Sequence, residues 1–242
     1  MRLVVYNIRY GTGRRSRHFP LFSYFVRTGG HLARICEFLR QENPDIVGLL
    51  EVDAGSYRAG RRSQSQIMAA ELGHYHTYRS KYSRRGISRF LPVLNKQGNA
   101  FLSRDTIKNE QFHYFDRGMK RLVIELEMEN LIVFLVHLAI TPGVRHRQLG
   151  DLYELVRDTS KPHIVAGDFN AMWGDREIRL FLAATGLANA DGAGRATFPS
   201  WEPKRCLDFV LHSPAVKTVD LRVPQIRLSD HLPLIYDFQI ES

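Results

Sequence analysis

Two apolar runs, Leu122 to Met128 and Leu131 to Leu138, are separated only by Glu129-Asn130. A two-residue connection between strand-like segments leaves little room for anything but an antiparallel hairpin, so the chain must build a sheet with antiparallel pairing. Strand and helix patterns alternate around that hairpin. Strands are expected at Arg2 to Ile8, Asp45 to Leu50, Gly98 to Leu102, His163 to Ala166, Leu207 to Leu211, Thr218 to Val223 and Leu234 to Phe238. His31 to Gln41 sets Leu32, Ile35, Cys36 and Leu39 at helical spacing and stops before Asn43-Pro44. Gln64 to Leu72, Gln148 to Arg157 and Asp175 to Ala184 also read as helices. Many strands with interspersed helices imply an α/β protein of two packed sheets, and without a Pro/Ser-rich linker residues 1–242 read as a single domain.

The 44% hydrophobic and 24% charged residues exclude disorder, collagen and coiled coil. Cys36 and Cys206, the only cysteines, are too few for a disulfide framework or a zinc cage and suit a reducing compartment. Met1 leads directly into Leu3-Val4-Val5-Tyr6 without the pattern of a secretory leader, and no apolar stretch approaches the roughly 20 residues of a bilayer span. The expectation is a cytoplasmic protein.

The net charge of +9 is unevenly spread. Residues 1–120 carry 21 basic and 9 acidic groups, whereas 121–242 carry 13 and 16. Between 54 and 97, Arg58, Arg61, Arg62, Arg79, Lys81, Arg84, Arg85, Arg89 and Lys96 face a single acid, Glu71. Such clustering favours a polyanionic partner, nucleic acid or an anionic membrane surface, over a merely solubilising face.

Polar residues recur at the ends of the expected strands, where a rigid scaffold can present chemistry to one cleft. Gly167-Asp168-Phe169-Asn170 follows an apolar strand. In extended geometry Asp168 and Asn170 project the same way toward one centre; the alternative is an Asx turn. Asp208 interrupts an apolar strand and needs a partner, for which His231 in Ser229-Asp230-His231 is apt, since an acid on one imidazole nitrogen raises the basicity of the other. Glu51 ends an apolar strand and suits a hard divalent cation or a surface cap. His137 interrupts Val133-Phe134-Leu135-Val136 either as a satisfied core residue or as a functional one.

The ordered set narrows these alternatives. Tyr6-Asn7-Ile8, Pro44-Asp45-Ile46-Val47 through Leu50-Glu51-Val52, Gly98-Asn99-Ala100-Phe101-Leu102-Ser103-Arg104, Val136-His137-Leu138, Gly167-Asp168-Phe169-Asn170, Leu207-Asp208-Phe209-Val210-Leu211 and Ser229-Asp230-His231 occur in the order seen in the endonuclease/exonuclease/phosphatase superfamily. The chain resembles that DNase-like family over essentially its whole length. The resemblance implies a four-layer α/β sandwich of two packed mixed, largely antiparallel sheets flanked by helices. It also implies a magnesium ion, replaceable by manganese, held by Glu51 with Asn7 and Asp230. Asp168 would orient or deprotonate the attacking water or help a second metal do so, Asn170 would donate to the developing charge, and Asp208 would position His231 to contact the scissile phosphate or share in acid/base work, with either Asp168 or the Asp208–His231 pair as the base. Asn99 would complete the phosphate pocket. His137 would act as the general acid on the leaving oxygen, and its context disfavours a dedicated abasic-site endonuclease, in which a tyrosine is usual. Arg145 would bind phosphate or cap the helix beyond it.

Substrate is open at this point. Arg14 and Arg15 with the aromatics Phe19 to Phe25, and Arg84 and Arg85 with Tyr78 and Tyr82, suit phosphate pairing with base stacking, or a phospholipid interface. Trp201 in Thr197-Phe198-Pro199-Ser200-Trp201 resembles a substrate-side loop residue of the family. The leading expectation is a metal-dependent phosphodiesterase cleaving nucleic acid, monomeric and without an obligate protein partner. The alternative is a phospholipid or sphingomyelin phosphodiesterase, or a phosphatase of small phosphoesters. A catalytically silent binding module fits least, because every matched catalytic position is filled.

Overall fold

The computed structural model describes residues 1–13, 28–80, 96–118 and 120–241. The first sheet is built from β1 (Arg2–Asn7), β2 (Ile46–Asp53), β3 (Tyr75–Ser80), β4 (Gln97–Ser103), β11 (Val216–Arg222) and β12 (Leu234–Ile240), ordered β11-β12-β1-β2-β4-β3. The second contains β5 (Asn109–Tyr114), β6 (Leu122–Glu127), β7 (Ile132–His137), β8 (His163–Asp168), β9 (Ala188–Asn189) and β10 (Asp208–His212), ordered β5-β6-β7-β8-β10-β9. Helices α1 (Gly29–Glu42), α2 (Gln64–Leu72), α3 (Pro142–Arg157) and α4 (Arg176–Thr185) complete the layers. The fold is the expected α/β sandwich, with one parallel pair per sheet, β1–β2 and β7–β8, and antiparallel pairing elsewhere.

Side-chain alternation explains the layering, because successive residues of a strand point to opposite faces. Leu3, Val5, Ile46 and Leu50 of the first sheet pack against Ile124, Leu135, Ile164 and Val210 of the second in the central core. Val4, Tyr6, Val47 and Leu49 turn the other way, onto Leu32, Ile35, Cys36 and Leu39 of α1 and Met68 of α2. Phe134, Val136, Val165 and Leu211 meet Leu149, Leu152 and Val156 of α3 and Ile178 and Phe181 of α4. The central strands are therefore apolar on both faces, which leaves their ends as the places where polar side chains converge. Among the described residues no helix is long and apolar enough to cross a membrane.

Candidate active site

Asp168 lies at the middle of the convergence. It ends β8, where the parallel register pairs it with His137 and the antiparallel register pairs it with Asp208. Backbone pairing alone thus lays three of the side chains singled out in the sequence in a row across β7, β8 and β10. The residue before Asp168 must be glycine: Gly167 has φ +143°, and a Cβ there would lie 1.9 Å from the carbonyl oxygen of Val136.

The Asp168 carboxylate is buried and divides its two oxygens between tasks. Oδ1 accepts from the backbone N–H of Asn170 at 2.9 Å, the Asx turn. Oδ2 accepts from Asn7 Nδ2 at 3.3 Å and lies 3.2 Å from His137 Nε2 and 3.8 Å from His231 Nε2. Burial would raise its pKa, but the positive charge of His231, together with the neighbouring His137 and Lys120, holds it far below the usual carboxylate range.

On the other side of this centre, His231 Nδ1 donates to Asp208 Oδ2 at 2.8 Å, and Thr197 Oγ1 donates to the same oxygen at 2.6 Å. Burial works against a charged ring, yet Asp208 and Asp168 at its two nitrogens raise the His231 pKa to about 10. At neutral pH this imidazole is a cation between two carboxylates. Phe198 covers it, ring centroids 5.0 Å apart.

Glu51 occupies an irregularity of β2, where the pairing with β4 shifts register between Leu49 and Val52. Its φ of 55° is left-handed, as are those of Arg9 and Tyr10 just after Asn7 and of Asn170 just after Asp168. Backbone strain at non-glycine residues gathers at functional sites, and here it falls beside three of the polar residues picked out from the sequence. Asn99 supports the Glu51 turn, its Oδ1 accepting from the Glu51 N–H at 3.4 Å. Asn7 Oδ1 accepts from the Arg9 N–H at 3.2 Å, and Arg9 Nε lies 3.4 Å from Asp230 Oδ2. Burial raises the Asp230 pKa, His231 opposes this, and the neighbouring negative charge of Glu51 adds to it.

The negative charge of Glu51 reaches Asp230, and a hard divalent cation bound by such oxygen donors would relieve that repulsion. Asp168, Asp208 and His231 are also close enough to share an ion. Their geometry favours a different reading, since both ring nitrogens already face carboxylates and a protonated ring has no lone pair for a metal.

Several expectations change. Asn170 does not extend β8 to project alongside Asp168; it turns left-handed, and its Nδ2 donates to the Leu138 carbonyl at 2.9 Å. Arg145 offers phosphate no free fork and does not cap the helix, lying inside the first turns of α3. It is 2% exposed, Nε pairs with Glu177 Oε2 at 2.6 Å, and Nη1 donates to the carbonyls of Ala139, Ile140 and Asn170. It therefore braces the turns that follow His137 and Asp168. In the 197–201 loop the aromatic set against His231 is Phe198, while Trp201, three residues on, is half-buried. Arg14, Arg15, Arg84 and Arg85 lie outside the described residues.

Sequence reasoning missed Arg9, Thr197 as the partner of Asp208, and Lys120. Lys120 Nζ donates to His137 Nε2 and lies 3.9 Å from Glu51 Oε1. Burial, then Lys120, lowers the pKa of His137 against the opposing pull of Asp168, so this ring is neutral at neutral pH.

The Endonuclease/Exonuclease/phosphatase family pattern matches residues 4–231. No curated protein sequence matches the chain. Among solved structures, an endonuclease/exonuclease/phosphatase from Beutenbergia cavernae is 21% identical, with a TM-score of 0.73 covering 100% of this chain and 72% of that one. The mannosyl-6-phosphatase of Bacteroides thetaiotaomicron is 15% identical, TM-score 0.72, covering 99% and 100%. A Neisseria 3′ phosphatase bound to a product DNA hairpin is 20% identical, TM-score 0.68, covering 99% of each chain. At these identities the structural likeness speaks for the fold.

Proposed function

Because the chain belongs to the endonuclease/exonuclease/phosphatase family, whose members hydrolyse phosphoesters, we propose that it is a magnesium-dependent phosphodiesterase that cleaves nucleic acid by attack of water on a phosphate. The observation that carries the reading is the row His137, Asp168 and Asp208 with His231 closing it, because it offers both a proton acceptor and a fixed positive charge at one point.

Asp168 Oδ2 takes the proton of the water, or orients it, as the water attacks phosphorus. His231, fixed by Asp208 and Thr197 and carrying charge at neutral pH, stabilises the negative charge that builds on the phosphoryl oxygens. His137, being neutral, serves as a hydrogen-bond group toward the phosphate or the leaving oxygen rather than as a stored proton. Asn170 keeps one amide hydrogen beyond the one given to Leu138. Glu51, Asn7 and Asp230 would hold the divalent ion, with Asn99 setting the turn of Glu51 and Arg9 steadying Asp230. A bound magnesium supplies Lewis-acid polarisation of the phosphoryl group and neutralises charge on the leaving oxygen. We read residues 1–242 as one working unit.

Nucleic acid is favoured over other phosphoesters by the charge of the first half and by the rim beside Asn99. Arg79 is paired with Asn99 in the β3–β4 register; its guanidinium lies 4.6 Å from the Phe112 ring centroid and Nε donates to the Tyr114 hydroxyl at 3.3 Å. Arginine over aromatic rings is the chemistry that grips a backbone phosphate and stacks a base. The likeness to a mannosyl-6-phosphatase supports a second reading, hydrolysis of a small phosphomonoester, with a phospholipid headgroup as a related target of the same chemistry.

Supercoiled plasmid, single-stranded RNA, mannose 6-phosphate and sphingomyelin vesicles, each with magnesium, manganese or EDTA, separate these readings. The proposal expects metal-dependent cleavage of plasmid or RNA, with affinity falling tenfold or more between 50 and 200 mM salt as several phosphate contacts are screened. Turnover of the sugar phosphate or the lipid alone would overturn the nucleic-acid assignment.

A further inference from the structure

Lys120 precedes β6 and belongs to none of the seven motifs, yet it is held in place with unusual care. Its carbonyl accepts from Gln148 Nε2 at 2.7 Å, the same amide donates to the Arg117 carbonyl at 2.9 Å, and Gln148 Oε1 accepts from the Ala139 N–H at 2.8 Å. Gln148 is fully buried, so α3 clamps the segment carrying Lys120 to the segment that follows His137. Gly118 lets the loop close on that clamp: its φ is +96°, and a Cβ would lie 2.9 Å from Gln148 Nε2 and 3.0 Å from Val144 Cγ1. A lysine that only solvates a surface needs no such anchoring.

The ammonium reaches the cleft with its side chain 21% exposed. Of its three donors, one goes to His137 Nε2, and Glu51 Oε1 at 3.9 Å is beyond hydrogen-bond distance. Among the described residues no further partner takes the remaining hydrogens, so an anion entering the cleft meets a compact charge with donors to spare. Its position is fixed on two sides, by the glutamate of the metal-suited set and by the histidine beside Asp168.

We propose that Lys120 is a catalytic residue whose ammonium pairs with a non-bridging oxygen of the scissile phosphoryl group, an inference that rests on the hydrolase reading above. The charge that accumulates on those oxygens during water attack would find a fixed cation within reach, the preorganised stabilisation that lowers such barriers most. The pairing also changes His137. Its Nε2 cannot accept from Lys120 and donate to Asp168 at once, so a phosphate that draws Lys120 away leaves Nε2 free to carry a hydrogen toward Asp168 or the substrate.

The test uses the full chain with Lys120→Ala and Lys120→Arg, and Arg121→Ala as a neighbour whose Nη1 donates to the Asp116 carbonyl at 3.5 Å. Three quantities are measured: hydrolysis of bis(p-nitrophenyl) phosphate with magnesium, binding of inorganic phosphate by calorimetry with and without magnesium, and magnesium binding alone. The expected result for Lys120→Ala is a kcat lowered about a hundredfold, the size usual for one lost oxyanion donor, with inorganic phosphate bound at least about tenfold more weakly. Lys120→Arg recovers part of both, and Arg121→Ala changes neither. If Lys120 is only a counter-charge to Glu51, Lys120→Ala binds magnesium more tightly and phosphate as well as wild type does, and the proposal is overturned. Phosphate binding is informative even if the wild type hydrolyses nothing, so failure of the hydrolase reading is seen separately from failure of this one.

Discussion

His231 Nδ1 and Asp208 Oδ2 stand 2.8 Å apart across the end of the second sheet, one from the turn before β12 and the other from the first residue of β10. The bond joins segments 23 residues apart and gives the ring its orientation toward Asp168. Asp208→Asn keeps the volume and removes the charge. Histidine proton resonances followed against pH should place the wild-type His231 midpoint near 10, with the ring charged at neutral pH, and should shift it downward in Asp208→Asn. A midpoint that does not move would mean that Asp208 does not hold the proton on the ring.

Glu51 lies at the irregularity of β2 and Asp230 in the turn before β12, and the charge of Glu51 adds to the raised pKa of Asp230. A divalent ion that binds between them stabilises the folded protein by mass action. At a hundredfold excess over its dissociation constant the gain is about 2.7 kcal/mol, which for a chain of this size raises Tm by roughly 5 to 10 °C. Thermal melts with magnesium should show this rise in the wild type and lose most of it in Glu51→Gln. An equal rise in both would place the ion elsewhere.

Arg145 is a brace. Its guanidinium joins Glu177 to three carbonyls of the turns behind His137 and Asp168. Arg145→Met leaves Glu177 without its partner and those carbonyls without a donor, and should cost about 3 kcal/mol or more of unfolding free energy in urea. A stability unchanged within 0.5 kcal/mol, roughly the spread of ordinary surface substitutions, would contradict the bracing role.

The first and last strands of the first sheet are tied by a two-pronged pair, Arg2 Nε to Asp237 Oδ1 at 2.7 Å and Arg2 Nη2 to Asp237 Oδ2 at 2.9 Å. The hydrogen bonds from Arg2, against a smaller cost of burial, lower the Asp237 pKa. A carboxyl whose folded pKa lies below its unfolded value contributes stability above the unfolded value and loses it as pH falls through the folded one. Both side chains are partly exposed, so the contribution is on the order of 1 kcal/mol. Asp237→Asn should therefore destabilise the protein at pH 7 and match the wild type more closely as acid protonates the carboxyl; an equal deficit at neutral and acid pH would show the pair is not the cause.

The central strands were legible because they are apolar on both faces, and α2 spans Gln64–Leu72 and ends at Gly73. The edge strands β3 and β5 were not, because a strand at a sheet edge with an exposed, polar face loses the alternation that marks it. Helix α3 begins at Pro142, where proline opens a helix at no cost in hydrogen bonds, well before its apolar spacing becomes visible at Gln148. In the site, residues at the ends of apolar strands stood out, whereas Arg9 and Lys120 sit in turns among many other basic residues. For Lys120 a signal existed. The two-residue turn that fixes the hairpin pairs Val123 with Val136, and extending that register sets Leu122 opposite His137 and Lys120 opposite Ala139, two residues beyond it.

Hydrolysis of bis(p-nitrophenyl) phosphate by purified wild type and Asp168→Ala, across a magnesium titration, bears most directly on the account. A rate in the wild type that rises and saturates with magnesium, vanishes in EDTA and falls at least about a thousandfold in Asp168→Ala is the predicted result. Full metal-dependent turnover by Asp168→Ala would contradict the assignment of chemistry to the point where β7, β8 and β10 meet.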